Sequence, residues 1–399
     1  MVRNRILYGA IVFLSFIFIY FYGGKVPYML FYVTLILPAV SLLYTGIIYF
    51  RFKYLQGTDR RTALKGESIN FLFSVSNEDF FIYPYITVNL YGTDTVFNRE
   101  MQRKSFSLAP RRGKQYTFGL ECKYRGQYQV GIRSIEIEDF LGIFRWNYRA
   151  GEPVPITVYP KIIHLERFRL QTNFISEAHS ILNNRYEDMS TISDIRKYQY
   201  GDSLKKIHWK LSAKMNEIMV RNYQSTSQTS VTMFLDLKQN PFSPERNIML
   251  EDKLIESVVS VLHYCLANWI HVNLVYYAEE IVTLEGKNPM EFDGIYNILS
   301  TIAFSSPVEV KDIINIHIND NMIKTNLLIF TSNLNDELYE EIYKTKLLGY
   351  ETGLIYVVPD RGADKNDRQA DSILPYLTEM GVNTYKIDIE DSIKEILER

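Results

Sequence analysis

SVTMFLDL, Ser230 to Leu237, is a β-prone run that reaches a carboxylate, Asp236, near its end. Reading outward from it decides the fold. Glu251 to Trp269 carries apolar residues at Leu254, Ile255, Val258, Val259, Val261 and Leu262, the spacing of a helix. HVNLVYYA (His271–Ala278) reads as a strand and Pro289 to Ala303 as a helix. NLLIFTSN (Asn326–Asn333) is again a strand, and Asn335 to Leu347 a helix with Asn335 as its cap. TGLIYVVPD (Thr352–Asp360), a helix over Ala370 to Met380, the short strand NTYKID and a helix over Ile389 to Leu397 complete the pattern. Strands alternating with helices predict a mostly parallel α/β sheet with helices on both faces. Such sheets bind ligands at the carboxyl ends of their strands. Asp236, Thr331, Ser332 and Asp360 are therefore the candidate partner-site residues. Neither G-x-G-x-x-G nor G-x-x-x-x-G-K-[ST] occurs, so a dinucleotide or P-loop site is unsupported.

The amino terminus reads as a membrane anchor. Ile6 to Tyr22 is 17 residues without a charge, Gly23-Gly24-Lys25 follows, and Val26 to Phe50 is another 25 uncharged residues. A bilayer core takes about 20 apolar residues per helix. Two spans joined by a glycine turn predict a helical hairpin over residues 1–53. A cleaved signal peptide fits less well, because the first run is long and lacks a small-residue cleavage site. Arg3 and Arg5 precede the first span and Arg51, Lys53, Arg60 and Arg61 follow the second, while the turn carries only Lys25. The excess of basic residues predicts two spans in the plasma membrane, with both termini cytoplasmic.

Residues 54–160 change in texture. SINFLFSVSN (Ser68–Asn77) and PYITVNLYG (Pro84–Gly92) alternate as half-buried strands do, and further short β-prone runs follow. They predict a β-sandwich-like domain serving as a spacer or docking surface. The chain has two cysteines, Cys122 and Cys265, far apart, which agrees with a reducing compartment. Its formal net charge of −2 argues against nucleic-acid binding, and no cofactor is expected.

Between these domains, residues 161–228 form a linker that ends in YQYGDSLKKIHWKLSAK, Tyr198 to Lys214. Gly201-Asp202-Ser203 predicts a turn and a helix cap. Leu204, Ile207, His208, Leu211 and Met215 recur at helical spacing, and Lys206, Lys210 and Lys214 form a basic stripe. From Asp194 to Tyr223 there are seven Lys/Arg against three Asp/Glu, a local charge of +4. Three readings compete. Nucleophilic catalysis by Ser203 and His208 with Asp202 suffers from the spacing, which puts Ser203 and His208 on different sides of the turn. Anion binding by the lysines and the helix start is the second. The leading expectation is a structural clasp, with His208 and Trp209 packed against the neighbouring sheet and Asp202 as the cap. No catalytic residue is assigned, and an enzyme is not expected.

Two resemblances bear on these readings. The α/β pattern resembles von Willebrand factor A-like domains, which hold Mg²⁺ on an Asp-x-Ser-x-Ser run with a later Thr and Asp. Here the run is Asp236-Leu237-Lys238-Gln239-Asn240: both serines are replaced, one by a lysine that would repel a divalent ion. Asp236 is thus a degenerate metal position, expected to bond nearby amides instead. The whole chain resembles the bacterial domain of unknown function 58 family. Its hallmark Tyr-x-x-Gly-Asp-x-x-Arg-x-Ile-x-Trp-x-x-x-Ala-Arg stands here as Tyr198, Gly201, Asp202, Ile207, Trp209, Ala213 and Lys214. Lys205 or Lys206, and Lys214, take places where arginine is usual, and Tyr200 replaces a common proline. Tyr124-Arg125-Gly126 and Asp139-Phe140-Leu141-Gly142-Ile143-Phe144 match further family elements. Membership implies a membrane-tethered, cytoplasm-facing adaptor for a MoxR-type AAA+ ATPase and other membrane proteins. The alternative is an enzyme of envelope-polymer metabolism using Asp202 and His208.

Overall fold

The computed structural model describes residues 2–91, 103–170, 192–199, 204, 207–223, 230–320, 325–358 and 365–399. The chain forms two compact units: residues 1–161 with 300–302, and residues 162–299 with 303–399.

The first unit begins with α1 (Val2–Tyr22) and α2 (Lys25–Arg51), two helices long and apolar enough to cross a membrane. Gly23 and Gly24 make the turn at φ 53° and 87°, backbone angles that glycine adopts without steric cost. Small polar groups close the hairpin seam: the Tyr8 hydroxyl donates to the Thr34 carbonyl at 2.7 Å, and Ser15 Oγ lies 3.2 Å from Thr34 Oγ1.

Among the described residues the strands that follow are β1 (Lys53–Thr58), β2 (Thr62–Leu64), β3 (Ser68–Ser76), β4 (Tyr83–Tyr91), β5 (Arg103–Leu108), β6 (Gly113–Glu121), β7 (Gly126–Glu138), β8 (Arg145–Arg149) and β9 (Val154–Tyr159). They pair as a sheet β1-β3-β6 and a sheet β2-β9-β7-β4-β5, with β8 on β7. Alternation in β3 buries Ile69, Phe71, Phe73 and Val75 against Ile86, Val88, Ile135 and Ile137 of the other sheet in one core. Ile48 of α2 and Phe52 belong to the same core.

In the second unit, β10 (Ile192–Lys197) pairs antiparallel with β11 (Met219–Tyr223), and α3 (Trp209–Met215) lies between them in sequence. The main sheet comprises β12 (Ser230–Leu235), β13 (His271–Tyr277), β14 (Ile281–Gly286), β15 (Asn326–Thr331), β16 (Glu351–Val358) and β17 (Asn383–Asp388). Its order is β14-β13-β12-β15-β16-β17, parallel throughout except for β14. The helices are α4 (Pro244–Ala267), α5 (Phe292–Thr301), α6 (Val310–Asp320), α7 (Asp336–Leu347), α8 (Lys365–Glu379) and α9 (Ile393–Leu397). α6, α7 and α8 share one core with Phe234, Ile329 and Tyr356 of the sheet, while α4 packs against β13, β15 and β16 with its own buried stripe.

Several elements differ from expectation. α4 starts at Pro244, earlier than its apolar run, because Ser243 stands at the cap position and proline suits the first helical position. The hairpin strand β14 and helix α6 were not anticipated. β14 alternates weakly at the sheet edge, and α6 has an apolar stripe at Val310, Ile313 and Ile314 that follows an irregular stretch. The expected helix through Leu204, Ile207, His208, Leu211 and Met215 is a correction: α3 begins only at Trp209 and buries none of its residues. Ile207 is instead a bridge partner of Val220, and Leu204 and Met215 are exposed.

Candidate functional site

The parallel sheet runs outward in both directions from its middle. The chain passes from β12 to β13 on one side, then returns to β15 on the other. The gap between the carboxyl ends of β12 and β15 is the switch point where such sheets take ligands. Register sets Leu235 beside Phe330, which brings Asp236 and Thr331 together just beyond.

Asp236 is buried, and its carboxylate is held from two sides. The Thr331 hydroxyl donates to Oδ2 at 2.6 Å, and the Lys238 amide donates to Oδ1 at 3.0 Å. Asn333 N–H in turn donates to Thr331 Oγ1 at 2.8 Å, which fixes the hydroxyl. Burial pushes the Asp236 carboxyl above the usual carboxylate range, and the Thr331 and Lys238 contacts only partly oppose this. Deeper at the same strand ends, Asn240 Nδ2 donates to Ser332 Oγ at 2.8 Å and Asn247 Nδ2 to the Asn240 carbonyl at 2.9 Å. The side-chain oxygens of Asn240 and Asn247 are buried without a partner.

A row of alternating charge borders this cluster. The Lys238 ammonium pairs with Glu309, Lys311 with Glu309 at 3.3 Å, and Lys311 also with Glu337. The Lys238 contact pulls the Glu309 carboxyl below its ordinary range. Lys238 therefore has a carboxylate of its own beside Asp236. Among the described residues no group of three or more His, Cys, Asp or Glu is arranged to hold a metal ion. The cavity between Asp236, Lys238, Glu309, Asn333 and Leu338 measures about 20 Å³. That admits about one water molecule, whereas sites for drug-sized ligands run to roughly 300–1,000 Å³. A larger hollow of about 580 Å³ opens beside edge strand β17, between Arg169, Tyr385, Lys386 and Arg399, three strands away from β12.

The signature segment is a separate structure within the same unit. His208 is the cap of α3: its Nδ1 accepts from the Leu211 amide at 3.2 Å. That lone pair is committed to the backbone, so only Nε2 could serve a proton transfer. Ser212 Oγ donates to the His208 carbonyl at 3.0 Å and accepts from the Met219 amide at 2.9 Å, tying α3 to β11. Asn216 ends the helix in the left-handed conformation at φ 54°. Trp209, expected to pack on a sheet, is 68% exposed. Lys210 and Lys214 of the basic stripe are exposed, and Tyr198 donates its amide to the Ile218 carbonyl at 2.8 Å. Gly201, Asp202, Ser203, Lys205, Lys206 and Asp360 lie outside the described residues.

The structure thus joins Asp236, Thr331 and Ser332 at one strand end and leaves His208 and Trp209 apart from them in sequence and sheet. Sequence reading missed Glu309, Lys311 and Glu337. Only Glu309 and Lys311 stand close in sequence, at the start of α6; Glu337 joins them from α7 through the fold, so no local signal marked the three together.

Comparison with known proteins matches part of the chain to a family. The model of "Protein of unknown function DUF58" matches residues 194–290. No curated protein matches the chain. Among solved structures, the conserved hypothetical protein BatB from Bacteroides thetaiotaomicron is 12% identical, with 41% of this chain and 91% of that one covered at a TM-score of 0.30. An aerotolerance-related membrane protein from Bacteroides fragilis NCTC 9343, carrying multiple mutations to serines, is 12% identical, covering 42% and 94% at a TM-score of 0.28. Similarity this low transfers no function. The match to the DUF58 family model thus covers residues 194–290, from the signature segment to beyond the hairpin strand β14.

Proposed function

We propose that the protein is a membrane-anchored, cytoplasm-facing interaction protein whose α/β unit docks a partner protein at the carboxyl ends of β12 and β15. The observation that carries this is the charged row Lys238–Glu309–Lys311–Glu337 beside a cavity of only about 20 Å³ at the sheet's switch point. Such a site offers a patterned surface and very little enclosed volume. Alternating charges on a surface select partners and steer encounter.

The strand order, with β14 antiparallel at the edge and Asp236 at the end of the central strand, supports a von Willebrand A-like reading of this unit. In that reading the metal position is replaced by an internal Lys238–Glu309 pair, and binding proceeds through side chains. A cytoplasmic AAA+ ATPase of the MoxR type is the partner class that the family resemblance implies. The basic residues flanking the hairpin support two spans with both termini in the cytoplasm.

The test is co-purification of full-length protein from membranes. Glu337 is 65% exposed, so Glu337→Lys reverses one charge of the row without disturbing a core. The wild type should bring down an ATPase subunit, and Glu337→Lys should reduce its yield by about tenfold, the effect of roughly 1.4 kcal/mol. Equal yields from both would place the docking surface elsewhere.

A further inference from the structure

The strand pairing of the first unit gathers three connections at one end. β1 pairs with β3 starting at Lys53↔Ser76, and β3 with β6 at Ser76↔Gly113. β4 pairs with β5 at Tyr83↔Leu108 and with β7 at Tyr85↔Glu138. Residues 77–82, 109–112 and 139–144 therefore all lie at the end where α2 enters the sheets.

No flexible tether separates the hairpin from the strands. Only Phe52 stands between α2 and β1, and it is buried in the core. The buried face of α2, Ser41, Thr45 and Ile48, continues to Phe52, so the β unit climbs α2 for 11 residues. That is about 16 Å at 1.5 Å per residue. The loop 139–144 is pinned at the top of this climb. Ser41 Oγ donates to the buried Asp139 Oδ2 at 2.6 Å, while the Ile143 and Phe144 amides donate to Oδ1 at 2.8 and 2.9 Å. The start of α1 meets the same loop: Arg5 Nε donates to the Ile143 carbonyl at 2.9 Å. Tyr44 joins both loops, with its hydroxyl on the Ile82 carbonyl at 2.5 Å and its ring 5.3 Å from Phe81 and 5.2 Å from Phe140.

With α1 and α2 read as spans, this level falls at the membrane boundary. A span of about 20 residues from Val26 ends near Thr45, and Arg3 and Arg5 mark the same height on α1. There the loops turn apolar side chains outward: Phe80 is 78% exposed, Phe140 54% and Ile82 46%. The Arg111 guanidinium sits 4.1 Å over the Phe80 ring, and Arg112 beside it is exposed. Aromatic rings with flanking cations suit the zone between headgroups and acyl chains.

We propose that loops 77–82 and 139–144 are seated in the cytoplasmic face of the bilayer, with Phe80, Ile82 and Phe140 at the acyl boundary and Arg111 and Arg112 on anionic headgroups. The β unit is then a platform fixed on the lipid surface. This rests on the reading of α1 and α2 as membrane spans.

Site-directed spin labelling of the full chain in phosphatidylcholine–phosphatidylglycerol vesicles tests it. Labels go at Phe80→Cys and Phe140→Cys, with Leu14→Cys on α1 as the anchor control and Lys123→Cys at the opposite end of the sheets as the aqueous control. The native Cys122 and Cys265 are buried. The readout is collision with oxygen against a water-soluble nickel chelate. The labels at positions 80 and 140 should favour oxygen, at a depth between those at 14 and 123. If they meet the nickel chelate as freely as the label at 123 while the label at 14 stays in lipid, the seating is wrong and the anchor stands. If the label at 14 is also aqueous, the anchor fails and the seating with it.

Discussion

Asp139 and Asp236 are both buried carboxylates, and their surroundings set them apart. Asp139 accepts three donors, from Ser41, Ile143 and Phe144. Asp139→Ala strands all three, at about 1–3 kcal/mol for each buried group left unmade. Ser41→Ala removes one donor and should cost about 1–2 kcal/mol. Melting of the full chain in detergent should rank Asp139→Ala well below Ser41→Ala, and equal values would mean the loop is not pinned through Asp139. For Asp236, burial outweighs its hydrogen bonds and raises its folded pKa above the unfolded value. The folded state then binds the proton more tightly, so this group's contribution falls as pH rises from about 3.9 through the raised value, and is flat above it. Asp236→Asn should remove that decline. Across this range, the melting temperature of wild type relative to the variant should drop as pH rises, and a constant difference would contradict the assignment. The sequence marked Asp236 and Thr331, because both end β-prone runs. It could not show that Lys238 meets Glu309, 71 positions away.

At the scale of elements, periodicity read the long helices, the buried strands and even the short edge strand β17, and failed on the edge strand β14, on α6 and on the signature helix. The signature helix is the instructive case. A stripe at Leu204, Ile207, His208, Leu211 and Met215 fits helical spacing, yet Ile207 is claimed by a bridge to Val220 before the helix begins. His208 then becomes its cap, a role that spacing alone assigned to Asp202. Ser212 closes this clasp, so Ser212→Ala should speed amide exchange at Met219 about tenfold, the effect of roughly 1.4 kcal/mol. No change at that amide would remove Ser212 from the clasp. In the main sheet, a Cβ on Gly353 would come within 2.8 Å of Leu328 Cδ2. Gly353→Ala should therefore cost about 1–3 kcal/mol through overpacking between β15 and β16, read as a lower denaturation midpoint.

For the whole molecule, the order of apolar hairpin, β unit, signature segment and α/β unit was legible because each has its own period: unbroken apolar runs, alternation of two, then strand–helix alternation. The function was not, because the proposed docking surface depends on side chains brought together from the loop after β12 and the starts of α6 and α7, and on a partner of another sequence. The proposed topology, read from the basic flanks, predicts that a reporter fused after Arg399 is active only when it requires the cytoplasm; periplasmic activity would invert the anchor. The most direct test of the central claim is photo-cross-linking in native membranes from a reactive phenylalanine analogue at position 337 of the full chain, with the same analogue at the exposed Glu285 of β14 as control. The account predicts a covalent adduct with a cytoplasmic ATPase subunit from position 337 and none from 285. No adduct from 337, or the same adduct from both positions, would contradict it.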